Sequence, residues 1–216
     1  MVASTRQGRR AACALLLLLA ASLLLLGIAH FVDHPVTARV THWRAPVLDA
    51  VVEFLNPIGS GVRLLVACVA LAVLARCLRR SRLHDAASLA AAAFVSAGLV
   101  EYMLKHVFDR PRPDAGRIAA GLLGPAFTTE DSFPSGHATS VFAVATVFAA
   151  YYPALRWPLY GLAAAIALGR VYLERHYVSD ILAGAALGVV FAVCLYRSRR
   201  SLLRRMILEP SPNVSG

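Results

Sequence analysis

Six long apolar stretches, set apart by short segments holding arginine and proline, constrain this chain more than any other feature. A hydrocarbon core about 30 Å thick is crossed by roughly 17–25 helical residues. The stretches run from about Ala11 to Val32, Gly61 to Leu78, His84 to Val107, Ser135 to the Tyr151–Tyr152 pair, Leu159 to Leu173, and Val178 to Tyr196. Their lengths predict an all-α fold: a polytopic membrane bundle of about six transmembrane helices. Arg6, Arg9 and Arg10 precede the first stretch as they would in a signal peptide. Its apolar run exceeds the roughly 7–15 residues of such a segment, so an uncleaved anchor is expected.

Composition agrees with a lipid environment. The chain is 58% hydrophobic and 16% charged, against about 45–50% and 25% for an ordinary soluble domain. A globule of 216 residues cannot hide that much apolar surface. The expected organisation is a basic cytoplasmic segment at 1–10, one helical domain over 11–197, and a cytoplasmic tail at 198–216 ending in the disorder-prone EPSPNVSG. The four cysteines (Cys13, Cys68, Cys77, Cys194) lie in or beside apolar runs without metal-type spacing and read as packed hydrophobes.

A formal charge of +10 invites a nucleic-acid reading. The distribution of the charges opposes it, since no basic face is interleaved with aromatic residues. Thirteen of the 22 basic residues fall instead in segments that share one membrane face once the N-terminus is placed inside. These are Arg6, Arg9 and Arg10; Arg76, Arg79, Arg80 and Arg82; Arg156; and Arg197, Arg199, Arg200, Arg204 and Arg205. That is the positive-inside pattern, with both termini cytoplasmic in the inner or plasma membrane. In the first external loop, Val47, Leu48, Val51, Val52 and Leu55 recur at helical spacing, with Asp49 and Glu53 on the other side. A short interfacial helix is expected there. Gly184 and Gly188 form a small-xxx-small pair suited to close helix packing. His30, Asp33 and His34 lie together but lack a further ligand for a metal site.

Three segments carry chemistry: KHVFDRPRP from Lys105, SFPSGHATS around Ser135, and GRVYLERHYVSD from Gly169. Far apart in sequence, they reach the same outer face under this topology. Lys105, Arg112 and Arg170 are cations where a membrane protein rarely keeps them, and guanidinium and ammonium groups suit phosphate oxygens. Ser135 and Gly136 open a helix, where unpaired N–H groups favour an anion. His176 and Asp180 stand four apart and share a helix face if the sixth helix has begun. A carboxylate on one imidazole nitrogen leaves the other free to attack phosphorus. His137 is placed to protonate the leaving oxygen and then to activate water. Such a site performs phosphoryl transfer by positioning and charge, with no metal or other cofactor required.

These segments resemble the three signature motifs of the type 2 phosphatidic acid phosphatase superfamily: Lys-x6-Arg-Pro, Pro-Ser-Gly-His and Ser-Arg-x5-His-x3-Asp. Here they read Lys105 to Arg112–Pro113, Pro134 to His137, and Arg170 to His176 to Asp180. The resemblance implies a six-helix membrane core with His176 as nucleophile, Asp180 as its orienting partner and His137 as acid–base. Lys105, Arg112, Ser135, Gly136 and Arg170 would bind the phosphate. One position departs, since Gly169 stands where the family usually has serine. A lost hydroxyl bond is worth about 0.5–1.5 kcal/mol.

The function implied is an integral membrane lipid phosphatase acting on a phosphomonoester or pyrophosphate headgroup at the outer face, through a phosphohistidine. A polyprenyl diphosphate or related envelope lipid is favoured as substrate. Phosphatidic acid, phosphatidylglycerol phosphate and lipid A are alternatives. Two other classes stay open: a vanadate-dependent haloperoxidase, which shares the cradle, and a non-catalytic lipid-binding or transport protein. The partners expected are a phosphorylated lipid and the bilayer, with no nucleic acid; the sequence carries no mark of an oligomeric state.

Overall fold

The computed structural model describes residues 27, 31–113 and 132–208. Every regular element among them is helical, and there is no strand. Helix α1 covers 31–40 and runs into a 3-10 turn at Thr41–Trp43. There follow α2 (Pro46–Leu55), α3 (Gly61–Cys77), α4 (Ser81–Phe108), α5 (Gly136–Tyr151), α6 (Arg156–Tyr172) and α7 (Val178–Leu208). Most of the first apolar stretch lies outside the described residues, as do 114–131 and 209–216.

Among the described residues, two helices are long and apolar enough to cross a membrane. They are α4, of 28 residues, whose most apolar 18-residue stretch has a mean hydropathy of 1.6, and the Val178–Arg204 part of α7, whose corresponding stretch reaches 2.2. Only 22% and 33% of their apolar windows are buried inside the protein, so neither is the core helix of a soluble globule. On α4 the buried side chains are Ala86, Ala87, Ala90, Ala93 and Ala97, while Leu99, Met103 and Val107 face out. Small residues inside and large apolar ones outside suit a lipid solvent, where close packing rather than hydrophobic exclusion joins the helices.

The centre of the bundle is α5, which packs on α4, α6 and α7. Gly184 and Gly188 let α7 approach it. A Cβ on Gly184 would stand 2.5 Å from the Ser135 carbonyl, and one on Gly188 would overlap the Thr139 carbonyl. Side chains there would push apart the two helices whose first turns carry Ser135, His137 and Asp180.

The arginine-rich segments holding Arg82 and Arg199 meet at one end of the bundle. Arg199 pairs with Asp85 at 2.6 Å and donates to the Tyr151 hydroxyl at 2.7 Å, while Arg82 donates to the Tyr151 carbonyl. The motif segments lie at the opposite end, where α4 and α6 finish and α5 and α7 start. Helix α7 continues past Tyr196 to Leu208. Hydropathy falls at the lipid boundary, but the arginines and leucines beyond it are good helix formers, so the helix does not stop there.

The helix expected in the first external loop forms as α2, with one difference in its faces. Asp49, expected on the polar side, turns toward the protein and accepts from the Tyr172 hydroxyl at 2.8 Å and Arg44 at 3.1 Å. Val52 is buried, and Val47 and Phe54 face outward at 74% and 73% exposure. The polar face of α2 thus also serves as a contact face, which a two-sided pattern does not resolve.

Candidate active site

Three backbone hydrogen bonds join the chemically interesting segments. The Ser132 N–H donates to the Arg110 carbonyl at 2.8 Å, the Ser135 N–H to the Asp180 carbonyl at 3.0 Å, and the His176 N–H to the Arg170 carbonyl at 3.3 Å. Thus the end of α4, the start of α5, the end of α6 and the start of α7 are tied through their main chains.

His176 is 3% exposed. It sits in the turn before α7, which begins at Val178, and so does not share a helical face with Asp180. The two meet because Asp180 folds back: its Oδ2 accepts the Tyr177 N–H at 2.8 Å, the carboxylate half of a capping box. The nearest acceptor to His176 Nδ1 is the Ser132 carbonyl at 2.8 Å, with Asp180 Oδ2 at 3.6 Å behind it. A carbonyl can only accept, so Nδ1 carries the proton and Nε2 keeps its lone pair. Orientation of the ring therefore comes first from a main-chain oxygen, while Asp180 acts one step further back. Burial pushes the His176 imidazole down to about 4; Asp180 opposes this and the charge of Arg170 adds to it. The ring is neutral at physiological pH.

The other predicted residues gather around it. His137, in the first turn of α5, lies within electrostatic reach of Arg170, His176 and Lys105. Arg112 lies within reach of His176 and places Nη1 3.5 Å from the Arg175 carbonyl. Arg170 donates from Nη1 to Asn56 Oδ1 at 2.6 Å. Lys105 pairs with Glu101 at 2.8 Å, and Glu101 in turn packs against Gly136, whose Cβ would come 3.0 Å from Oε1. Ser135 is fully buried and makes no cap bond to α5, and its hydroxyl has no hydrogen-bond partner among the described residues. The first helical bond of α5 is Thr139 N–H to the Ser135 carbonyl, so the N–H groups of Gly136 and His137 precede the helical ladder. A partnerless buried hydroxyl costs about 1–3 kcal/mol unless a ligand completes it.

Gly169 is explained by α2. A Cβ there would lie 3.2 Å from Val52 Cγ1, a contact tighter than side chains ordinarily make. A serine would meet Val52. We predict that Gly169→Ser lowers thermal stability modestly, by about 1 kcal/mol, and that adding Val52→Ala restores it. Equal destabilisation in the single and double variants would mean that Val52 is not the obstacle.

The model of the PAP2 superfamily matches residues 86–204, more than half of the chain. The chain belongs to the PAP2 superfamily. Among curated relatives, the lipid A 1-phosphatase of Rhizobium johnstonii is 34% identical over 102 residues, covering 46% of this chain and 42% of the relative. A putative undecaprenyl-diphosphatase of Escherichia coli is 35% identical over 94 residues, covering 42% and 46%. The matched region thus spans about half the length of these relatives or less. In overall shape the chain is similar to the PAP2 type phosphatidylglycerolphosphate phosphatase of Bacillus subtilis. The TM-score is 0.68 over 86% of this chain and 95% of that one, at 22% identity, a likeness of fold.

Four residues that the PAP2 motifs do not specify hold this site together: Asp33, Asn56, Ser132 and Arg110, the last at a variable position of the first motif. The buried carboxylate of Asp33 accepts Arg110 Nη2 at 2.8 Å, the Ser179 N–H at 2.9 Å and the Ser179 hydroxyl. Arg110 also donates to Asp180 at 2.7 Å and to Ser179 at 2.6 Å, and lies over the Tyr177 ring. Ser132 donates its hydroxyl to Asp180 while its carbonyl holds His176. Asp33 is therefore committed to hydrogen bonds at the start of α7, and the neighbouring His34 ring packs edge-on against Tyr177. His30 lies outside the described residues.

Proposed function

We propose that this chain is an integral membrane lipid phosphatase that forms a phosphohistidine at His176. His176 Nε2 attacks phosphorus, the bond from phosphorus to the lipid or diphosphate oxygen breaks, and His137 delivers a proton to that oxygen. Water then attacks the phosphohistidine as His137 takes its proton, the P–N bond breaks, and inorganic phosphate leaves. Lys105, Arg112 and Arg170, the Ser135 hydroxyl and the first N–H groups of α5 hold the phosphate oxygens. The arginine-rich end lies in the cytoplasm and the site faces the other side. In this reading the helical domain spans the bilayer about six times.

The observation that carries the proposal is the Ser135 hydroxyl, buried at the helix start that bears His137 and without a hydrogen-bond partner among the described residues, while His137 and His176 lie within electrostatic reach of Lys105, Arg112 and Arg170. A lipid keeps its chain in the bilayer while its headgroup reaches this end of the bundle. A polyprenyl diphosphate or related envelope lipid is the favoured substrate, in keeping with the undecaprenyl and lipid A relatives. The test is phosphate release by the purified protein from a panel holding a polyprenyl diphosphate, lipid A, phosphatidic acid and phosphatidylglycerol phosphate. Release is expected in the presence of EDTA and is expected to be blocked by vanadate. No release from any of the four lipids, or release that depends on a divalent cation, would refute the proposal.

A further inference from the structure

The PAP2 match begins at residue 86, yet the site also leans on a turn thirty residues before it. That turn follows α2 and is closed by hydrogen bonds from the Asn56 N–H to the Val52 carbonyl at 2.8 Å and from the Gly59 N–H to the Leu55 carbonyl at 3.3 Å. Asn56 uses both of its acceptors toward the site. Its side-chain Oδ1 receives Arg170 Nη1 at 2.6 Å, and its main-chain carbonyl faces the His137 imidazole. The turn is also pressed against that ring. A Cβ on Gly59 would overlap Ile166 Cγ2 and stand 2.9 Å from His137 Cδ2.

We propose that Asn56 is a positioning residue for phosphoryl transfer, acting through Arg170 on phosphate binding and through His137 on proton transfer. The proposal rests on the phosphatase reading above. The amide is the decisive chemistry. A neutral acceptor turns the guanidinium plane of Arg170 without cancelling its charge, so the full cation remains for the phosphate. A carboxylate at the same place would keep the contact and compete with the substrate for that charge. The main-chain carbonyl can accept only from a protonated ring nitrogen, which sets which nitrogen of His137 faces the leaving oxygen. The interfacial helix is thereby more than a cover: its C-terminal turn completes the site from a part of the chain the family motifs do not include.

The two arms can be separated by experiment. Asn56→Asp is nearly isosteric, and Asn56→Ala removes the side chain but keeps the carbonyl; both are compared with the parent by direct binding of inorganic vanadate and by steady-state kinetics. Vanadate binding should weaken about tenfold or more in Asn56→Asp and less in Asn56→Ala, with KM rising in the same order. Gly59→Ala should instead lower kcat and move the pH profile, leaving vanadate affinity within about twofold, because it displaces His137 rather than Arg170. Parental vanadate affinity in a folded Asn56→Asp protein would overturn the Arg170 arm. An unchanged pH profile in Gly59→Ala would overturn the His137 arm. Vanadate binding needs no lipid turnover, so if the parent protein hydrolyses no lipid the phosphatase reading fails while the Arg170 arm is still decided.

Discussion

His176→Ala is expected to lower lipid phosphate release by about four orders of magnitude or more, the loss seen when a covalent nucleophile is deleted. The ring is buried, its Nδ1 proton is fixed by the Ser132 carbonyl, and its Nε2 keeps its lone pair. An acid-labile, base-stable phosphoprotein trapped with substrate in the parent should be absent from the variant. Binding of vanadate should survive in part, because the cations and the α5 N-terminus remain. The parent's pH profile supplies an independent check. Protonation removes the Nε2 lone pair, so activity is present above the imidazole pKa and lost as pH falls through it. Burial has moved that value from the ordinary 6.5 to about 4, and the acid limb of kcat/KM should lie near 4. A limb near 6.5, or substantial turnover by His176→Ala, would remove His176 from the nucleophile's place.

Much of the architecture could be read from the residues alone, for a physical reason. Apolar length and arginine placement are local properties, so the helices near Gly61–Cys77, Ser81–Phe108 and Arg156–Tyr172 and the gathering of arginines at one end follow from them directly. The site segments were legible because each concentrates unusual charge at a helix end. Less legible was anything that depends on a long-range contact. His176 and Asp180 suggested a shared helix face, whereas the helix starts after His176 and the carboxylate folds back onto Tyr177. Glu101 and Lys105, four apart on α4, form an ordinary ion pair, but nothing local says that Glu101 also packs on Gly136. Asn56 is an unremarkable turn residue until Arg170 is placed over it. Asp33 stands beside His30 and His34 in a group that lacks a further ligand for a metal site, and nothing local says that its partner is Arg110, in the segment after α4.

Arg110 is the residue whose loss should most damage the fold of the site. It bridges two carboxylates, Asp33 and Asp180, each 0% exposed, at 2.8 and 2.7 Å. Removing one partner from a buried ion pair typically costs about 3–5 kcal/mol, because a charge is left without compensation. Arg110→Met would leave two such charges and release the carboxylate behind His176. A fall in the thermal midpoint of the detergent-solubilised protein is expected, together with a loss of turnover. Asp33→Asn should be much milder. It keeps an acceptor for the Ser179 N–H, and Arg110 stays paired with Asp180. The asymmetry makes the double variant informative: Asp33→Asn added to Arg110→Met removes one of the stranded charges and should recover part of the lost stability, a coupling well above the additive expectation for independent sites. If Asp33→Asn destabilises as much as Arg110→Met, or the double variant is worse than the sum of the two, the clamp does not work through charge compensation. The alternative would be packing: the Arg110 guanidinium lies 4.1 Å from the Tyr177 ring centroid, and Arg110→Lys, which keeps the charge but not the planar fork, then separates the two. Charge compensation predicts that lysine retains most of the stability, and stacking with bidentate geometry predicts that it does not.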